Sequence, residues 1–280
     1  MSRCRMCNDE SILDPIQREQ NGYALFRCSV CGTVMTDRES PETAALYDEL
    51  FTNGEYEEHR RQYEALQRGQ PAWGYYHAYM LNRIERKVAG RELVEIGGGT
   101  GAFGYLARRR GWHYTDFDVS PAAVEFVTKL GLNAHVFSPG TAPPLPLQAT
   151  DVVVMWEVLE HVWDVSQYLG AIRRALRPGG LLVMSTPNWE FQKRQKAWGA
   201  LSSPPIHCNF FNSVGIRHVL SRHGFSRVAI DRKRFYRPVL AWPSIVFSVK
   251  QFTRLQPAAT LAVFASVDIE DTSGTSVWRG

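Results

Sequence analysis

Apolar residues along this chain change spacing as the sequence proceeds. From residue 90 onward, short apolar runs alternate with longer stretches in which apolar positions recur every three or four residues. The short runs predict strands at 92–96, 113–117, 134–137, 152–156, 181–186 and 227–231. The longer stretches predict helices at 102–110, 121–130, 163–176 and 213–223. Ser120-Pro121 marks one helix start, with proline at the first helical position. Leu176-Arg177-Pro178-Gly179-Gly180 turns a helix into the strand at 181–186, and 261–267 reads as a last strand. Strands alternating with helices predict an α/β fold, a parallel sheet with helices on both faces. A ligand then sits at the carboxyl ends of the strands.

Ahead of this unit the pattern is helical but polar. Leu46, Tyr47, Leu50, Phe51, Tyr63 and Leu66 recur at helical spacing, Pro41 offers a start, and Asn53-Gly54 a break. Tyr47, Phe51 and Tyr56 suit either packing against the α/β unit or a lid over a substrate. A further helix begins at Pro71, with Tyr76, Met80, Leu81, Ile84 and Val88 on its apolar stripe. The stretch 239–252 is apolar and aromatic, but Pro243, Ser244 and Lys250 interrupt it. It reads as a core or pocket-covering helix rather than a membrane anchor. The tail from 268 is small and polar, and is expected to fray.

Length and charge narrow the picture slightly. The 280 residues suit one α/β domain with a small appendage, and a net charge of +4 permits acidic substrates without demanding nucleic acid. The first residues are polar and contain cysteine, with no apolar core of a signal peptide, so a cytoplasmic location is expected.

Four of the five cysteines fall in the first 31 residues, as Cys4-x-x-Cys7 and Cys28-x-x-Cys31-Gly32. Two intervening residues let both thiolates of a pair reach one ion from a tight turn. Two such pairs framing a hairpin predict a closed, structural four-sulfur zinc site. A lobe this small lacks a core of its own, so the metal would supply folding energy. Cys208 stands apart as a packed or pocket-edge thiol. The predicted organisation is a zinc-ribbon lobe over 1–40, a helical lid or linker over 41–89, the α/β domain over 90–267 and a flexible tail over 268–280.

The stretch with most chemistry is Glu95-Ile96-Gly97-Gly98-Gly99-Thr100-Gly101, between the strand at 92–96 and the helix at 102–110. Glycines there let backbone approach a ligand, and N–H groups at the helix start face it. A dinucleotide fingerprint would read Gly-x-Gly-x-x-Gly, whereas this one is Glu-x-Gly-x-Gly-x-Gly. Asp118 ends the next strand, the strand at 152–156 runs into Glu157-Val158-Leu159-Glu160-His161, and Pro178-Gly179-Gly180 follows. In this order the motifs resemble the class I S-adenosylmethionine-dependent methyltransferases over about residues 90–224. The resemblance implies a Rossmann-like, mostly parallel seven-stranded sheet whose last strand is antiparallel. It also implies a site in which Glu95 acts near the methionine ammonium by way of the loop. Gly97, Gly99 and Gly101 lie under the methionine part, Asp118 takes the ribose hydroxyls, Val119 touches the adenine, and Trp156 at the end of its strand joins the cofactor contacts. Asp116 is a competing acid on the same strand face as Asp118. Relatives place an acid before a Leu-Pro-Phe segment to hold the adenine amine. Here 139–147 has none, which leaves Thr141 or a backbone group for that contact.

Three readings of the chemistry stand side by side. Pro205-Ile206-His207-Cys208-Asn209-Phe210-Phe211 is similar to the His-x-x-Phe/Tyr-Phe stretch of zinc-containing sugar C-methyltransferases, which makes His207 a general base. Pro204 replaces the tyrosine those enzymes keep, so hydroxyl and amine acceptors remain open. Alternatively, Glu157, Glu160 and His161, expected on one helical face, join His207 around a divalent ion such as Mg2+. That set resembles the Glu-x-x-Glu-His plus His set of Hen-type small-RNA 2′-O-methyltransferases, and the same stretch resembles ubiquinone-pathway O-methyltransferases. In the third reading the two glutamates complement a helix N-terminus, and His161 packs beside the cofactor. The function these readings favour is methyl transfer to a small molecule: a sugar, nucleotide sugar, glycan precursor or secondary metabolite. An RNA methyltransferase, its phosphates met by runs such as Arg108-Arg109-Arg110 and Arg173-Arg174, and a non-catalytic cofactor-binding scaffold are the alternatives.

Overall fold

A computed structural model describes residues 2–39, 49, 57–68, 74–195, 202–231 and 259–268. Its centre is a sheet of seven strands in the order β12-β13-β10-β9-β6-β7-β8. These are β6 (Glu92–Ile96), β7 (His113–Asp118), β8 (Asn133–Val136), β9 (Thr150–Trp156), β10 (Leu176–Pro187), β12 (Ser226–Asp231) and β13 (Thr260–Ser266). The pairs β6–β7, β6–β9, β7–β8 and β9–β10 are parallel, and β13 runs antiparallel to both β10 and β12. The central strands are fully buried: Val152 to Met155 in β9 and Leu182 to Met184 in β10 have no exposure. Continuous apolar runs, rather than alternating ones, suit strands covered on both faces.

Two apolar clusters flank the sheet. On one face, Val94, Val153, Met155, Leu182 and Val263 pack against α5 (Val165–Ala175) and α7 (Ser213–Arg222) through Leu169, Ile172, Ile216 and Val219. On the other, Leu93, Val154, Val183 and Phe264 meet α2 (Gly74–Glu85) and α3 (Ala102–Arg109) through Met80, Ile84, Phe103 and Ala107, with Val127 of α4 (Pro121–Lys129) alongside. Tyr63 of α1 (Glu57–Gln67) is buried and packs edge-on to Tyr105, ring centroids 5.3 Å apart.

Helix starts follow local chemistry. Ser120 accepts a bond from the Ala123 amide with Pro121 at the first helical position, and Asp164 caps α5 through the Gln167 amide. That cap sets the start of α5 at Val165, two residues after the predicted position. At its other end α5 stops at Ala175, and β10 already begins at Leu176. The Arg177–Gly180 turn is a register break inside the strand, between Leu176 and Leu181, rather than a connector before it.

The N-terminal residues form β1 (Ser2–Arg3), β2 (Glu10–Ser11), and a hairpin of β3 (Leu13–Gln20) and β4 (Tyr23–Cys28), with β5 (Val34–Thr36) beside it. Asn21 and Gly22 both have positive φ, as the tight turn of a two-residue hairpin requires. The fourth strand of this sheet, β11 (Asn209–Phe210), comes from far along the chain and pairs Asn209 with Met35 and Phe210 with Val34. A short helix, α6 (Trp189–Gln192), precedes it. No described helix is long and apolar enough to cross a membrane. The expectations at Pro41, Leu46, Tyr47, Leu50, Phe51, Asn53-Gly54, Tyr56, Pro71 and 239–252, and for the tail beyond Asp268, lie outside the described residues, as does the side chain of Leu66.

Two glycines test the packing of α3 and α5. A Cβ on Gly104 would lie 2.2 Å from Cζ of Tyr114, and one on Gly170 would meet only Arg174, at 3.4 Å. Gly104→Ala should therefore destabilise the fold by about 1–3 kcal/mol. Gly170→Ala should stabilise it by about 0.5–1 kcal/mol. Urea midpoints of the two variants check both signs.

Candidate active site at the carboxyl ends of the strands

The turn from β6 into α3 has a backbone that only glycine adopts readily. Gly97, Gly99 and Gly101 have φ of 74°, 56° and 68°. At Gly97 a Cβ would also lie 2.8 Å from Cγ2 of Val158. Two carboxylates of β7 hold the turn: Asp116 Oδ1 accepts from the Gly98 amide at 3.0 Å, and Asp118 Oδ2 from the Gly99 amide at 3.1 Å. Asp118 Oδ1 also accepts from the Ser120 amide at 2.9 Å.

The register of β6 on β7 sets Glu95 directly beside Asp116. Tyr114, Asp116 and Asp118 share one strand face, so with Glu95 they form a ladder of acids under the loop. The Tyr114 hydroxyl donates to Glu95 Oε2 at 2.6 Å. Burial pushes the Glu95 carboxyl up to about 8, against the Tyr114 hydrogen bond and with the Asp118 charge adding to it. Burial raises Asp116 well above the carboxylate range, with Asp118 and Glu95 reinforcing it. Asp118 is raised too, but the Ser120 and Gly99 amides work against its burial. Of the two competing acids, Asp116 has no exposure and Asp118 keeps 7% at the strand end. Glu95 is 1% exposed.

The remaining residues assigned to the cofactor lie around this turn. Val119 is partly buried beside the core. Trp156 packs against Phe103 (5.2 Å), Tyr76 (5.7 Å) and His77 (5.9 Å), and its buried indole N–H has no partner among the described residues. Thr141 turns its hydroxyl back onto the Ser138 carbonyl at 2.6 Å.

Glu157, Glu160 and His161 do not share a helical face. Leu159–His161 is a single 3-10 turn, and Glu157 precedes it with φ of 54°. The left-handed residue turns Glu157 away, so Glu160, His161 and His207 cluster without it, one ligand atom from each lying within 4.8 Å of the others. Glu157 is exposed to the cleft. Desolvation by the surrounding protein raises its carboxyl to about 7, against a hydrogen bond from the Ser185 side chain that lowers it. Glu160 is 1% exposed, and neither carboxylate oxygen has a hydrogen-bond partner among the described residues. Burial and the Glu157 charge raise its pKa well above the usual carboxylate range, and the Thr186 hydroxyl works against this. The His161 and His207 rings meet edge-on at 4.6 Å. His161 Nδ1 donates to the Ile206 carbonyl at 2.9 Å, which leaves the lone pair on Nε2. Burial lowers His161 to about 4 and His207 well below its ordinary value, so both imidazoles are neutral near pH 7.

Hydrogen bonds lace the segments bearing this cluster. Besides the His161–Ile206 bond, the Cys208 amide donates to the Glu160 carbonyl at 2.9 Å, and Asn209 Nδ2 to the carbonyls of Leu159 (3.1 Å) and Val162 (2.6 Å). Asn209 and Tyr114 were not among the expected site residues. Gly104 was the only signal for Tyr114, since a glycine inside a helix marks close approach. Cys208 is buried, as an ordinary packed thiol would be.

In the N-terminal part, Cys4, Cys7, Cys28 and Cys31 converge with all four Sγ atoms within 4.8 Å of one another. Cys4 to Cys31 and Cys7 to Cys28 are both 4.0 Å. That is about twice an S–S bond, and close to the ~3.8 Å edge of a tetrahedron with zinc–sulfur bonds of about 2.3 Å. A hydrogen bond from Cys31 lowers the Cys4 thiol to about 5, and burial raises Cys7 to about 12. Protons alone thus ionise one thiol at the expense of others, whereas a dication would suit all four. The basic runs are turned onto their own chain: Arg108 bonds the Gly131 carbonyl, Arg110 pairs with Glu85 at 3.1 Å, and Arg173 bonds the Gly224 carbonyl at 3.2 Å.

Fold and site together define a class I methyltransferase. A profile described as a methyltransferase domain matches residues 58–230, more than half of the chain. The chain belongs to this methyltransferase-domain family. It is 30% identical over 156 residues to a probable S-adenosylmethionine-dependent methyltransferase of Mycolicibacterium smegmatis, covering 55% of this chain and 59% of that protein. It is 32% identical over 121 residues to a ubiquinone biosynthesis O-methyltransferase of Paramagnetospirillum magneticum, covering 41% and 46%. The chain thus spans about three fifths and under half of these relatives' lengths. Among solved structures it shares its fold with the putative methyltransferase complexed with the Haloferax volcanii Trm112 activator (TM-score 0.59, 19% identity, 79% of this chain and 97% of that one). It also shares it with the Haemonchus contortus phosphoethanolamine N-methyltransferase 2 bound to S-adenosyl-L-methionine (TM-score 0.54, 18% identity, 71% and 53%).

The acid ladder gives stability a definite pH dependence. Between about pH 5 and pH 8 the folded chain keeps a proton on Glu95 that the unfolded chain, with its ordinary carboxylate, has lost. The native state then binds more protons, so stability falls as pH rises through this window, by up to about 1.4 kcal/mol per pH unit for one proton. Glu95→Gln should make that slope shallower by up to this one-proton amount, as read from denaturant titrations at pH 5, 6, 7 and 8.

Proposed function

We propose that this protein transfers a methyl group from S-adenosylmethionine to a small molecule, a sugar, nucleotide sugar, glycan precursor or secondary metabolite. The observation that carries the reading is the glycine turn whose Gly98 and Gly99 amides are tied to Asp116 and Asp118 at the strand ends. In this reading Gly97, Gly99 and Gly101 let the backbone approach the methionine part, with Glu95 holding the turn from below. Asp118 accepts from the ribose hydroxyls with the lone pairs its two amide bonds leave over. Val119 lies against the adenine, and the unpartnered Trp156 indole N–H is a donor toward the cofactor. Bound there, S-adenosylmethionine supplies a methyl group on a sulfonium carbon. The protein's task is to align an acceptor in line with that carbon and to exclude water.

His207 and His161 are the groups for moving a proton. Both are neutral near pH 7, and an acceptor hydroxyl or amine could hand its proton to either. The buried, unpartnered Glu160 carboxylate gives a second role to the same cluster. Two imidazoles and a carboxylate form a donor set for a divalent ion, which would lower the pKa of an acceptor hydroxyl. The four-cysteine cluster is read as a structural zinc site, because its four thiols fit the tetrahedron. The division into a lobe over 1–40, a lid or linker over 41–89 and a catalytic domain over 90–267 belongs to this reading. No observation on the described arginines favours RNA, since Arg108, Arg110 and Arg173 are engaged within the chain.

Asp118→Ala should weaken S-adenosylmethionine binding about a hundredfold in calorimetry, and wild-type affinity would refute its assignment. Native protein should carry one zinc per chain by metal analysis, and Cys28→Ser should lose it together with several degrees of melting temperature. The functional test is transfer of labelled methyl from S-adenosylmethionine into fractionated cell extract, with and without chelator. Label in small molecules supports the reading. Label in RNA, lost with chelator, replaces it with metal-assisted 2′-O-methylation.

A further inference from the structure

Arg5 lies inside the first cysteine pair, Cys4-Arg5-Met6-Cys7, so its backbone moves with the thiol cluster. Its side chain leaves the lobe. Its guanidinium NH2 donates to the Cys208 carbonyl at 2.9 Å and reaches the Thr36 carbonyl at 3.5 Å. The guanidinium carbon lies 3.6 Å over the Trp163 ring. Cys208 follows His207 directly, and Trp163 stands two residues after His161. One side chain from the cysteine lobe thus touches both segments that carry the Glu160, His161 and His207 cluster.

The surroundings make this contact a hinge point rather than an incidental one. The Cys208 carbonyl also accepts the Thr36 amide at 3.0 Å, and the Cys208 amide donates to the Glu160 carbonyl at 2.9 Å. Cys208, the residue after His207, is therefore held from the lobe side through its carbonyl oxygen and from the cluster side through its amide nitrogen. The strand register of β11 on β5 pairs Asn209 with Met35, and the Thr36–Cys208 main-chain bond extends it by one residue toward His207. Between Ile206 and Asn209, the bonds of Arg5 and Thr36 to one carbonyl are the lobe's grip on the His207 segment.

We propose that Arg5 is a positioning residue for the Glu160, His161 and His207 cluster, through which the folded state of the cysteine lobe sets the geometry of the acceptor site. This rests on reading that cluster as the acceptor site. Arg5 touches no reacting atom. It acts through Cys208 and Trp163, and partners that orient a ligating or proton-accepting side chain in this way commonly matter ten- to a hundredfold to affinity.

The test uses the full chain with Arg5→Met, which keeps an apolar stem over Trp163 but removes the donors, and Arg5→Lys, which keeps a charge and one donor. Zinc content and S-adenosylmethionine affinity are controls, expected within twofold of wild type. In Arg5→Met, amide exchange over residues 203–211 should rise at least tenfold, while exchange in the loop 97–101 is unchanged. The affinity of the cluster for Mn2+, followed by electron paramagnetic resonance, should fall about tenfold, and Arg5→Lys should recover part of both. Exchange over 203–211 within twofold of wild type overturns the proposal. So does a rise spread equally over 97–101, which would mark general destabilisation. If Arg5→Met loses its zinc, Arg5→Lys decides by the same two criteria. Should the wild type bind no Mn2+, the metal reading of the cluster falls, and the exchange result alone upholds or overturns the positioning of His207.

Discussion

The structure depends on two hydrogen bonds, from the Gly98 and Gly99 amides to Asp116 and Asp118. A loop of glycines has little reason to hold one shape, because each residue loses much backbone entropy when fixed. Acids rising from the neighbouring strand hold it, and they are available because β7 runs parallel to β6 in a register that sets Glu95 beside Asp116. The sheet thereby delivers a shaped backbone cradle to the edge where a ligand binds. The same arrangement crowds three carboxylates into a buried space. Burial and mutual repulsion raise the Glu95 and Asp116 carboxyls above their ordinary range.

The Glu160, His161 and His207 cluster is assembled differently. Glu160 and His161 sit on a single 3-10 turn, and His207 comes from a segment about forty-five residues later. Neither piece has regular structure to hold it, so main-chain bonds and the Asn209 amide lace the two together. The cysteine lobe closes the arrangement from outside, taking β11 into its own sheet. A lobe with almost no core of its own thus forms part of the wall of the site.

Much of this was legible from residue order. The short runs marked the strands of the main sheet to within two residues, except that β10 starts at Leu176 rather than 181. The central β9 and β10 read as continuous apolar runs because they are covered on both faces. Caps such as Ser120-Pro121 marked helix starts, because an N-cap bond is made within four residues. The spacing of Cys4, Cys7, Cys28 and Cys31 foretold their convergence. What misled was the spacing of Glu157, Glu160 and His161, which suits a helical face only if the backbone is helical. The left-handed conformation at Glu157 breaks that condition, and nothing in its side chain announces it.

The sequence by itself determined the local and periodic features: the class of fold, the glycine turn, the cysteine pairs and the identity of the acids at the strand ends. These rest on interactions between residues close in the chain or on repeating burial, and both leave a pattern in residue order. Only the tertiary structure decided which acid of β7 stays partly open, that Tyr114 caps Glu95, that Glu160 and not Glu157 joins the two histidines, and that Arg5 reaches Cys208 across 203 positions of sequence. Those are contacts between distant segments, set by strand register and loop closure, and a one-dimensional pattern carries no trace of which partner will arrive.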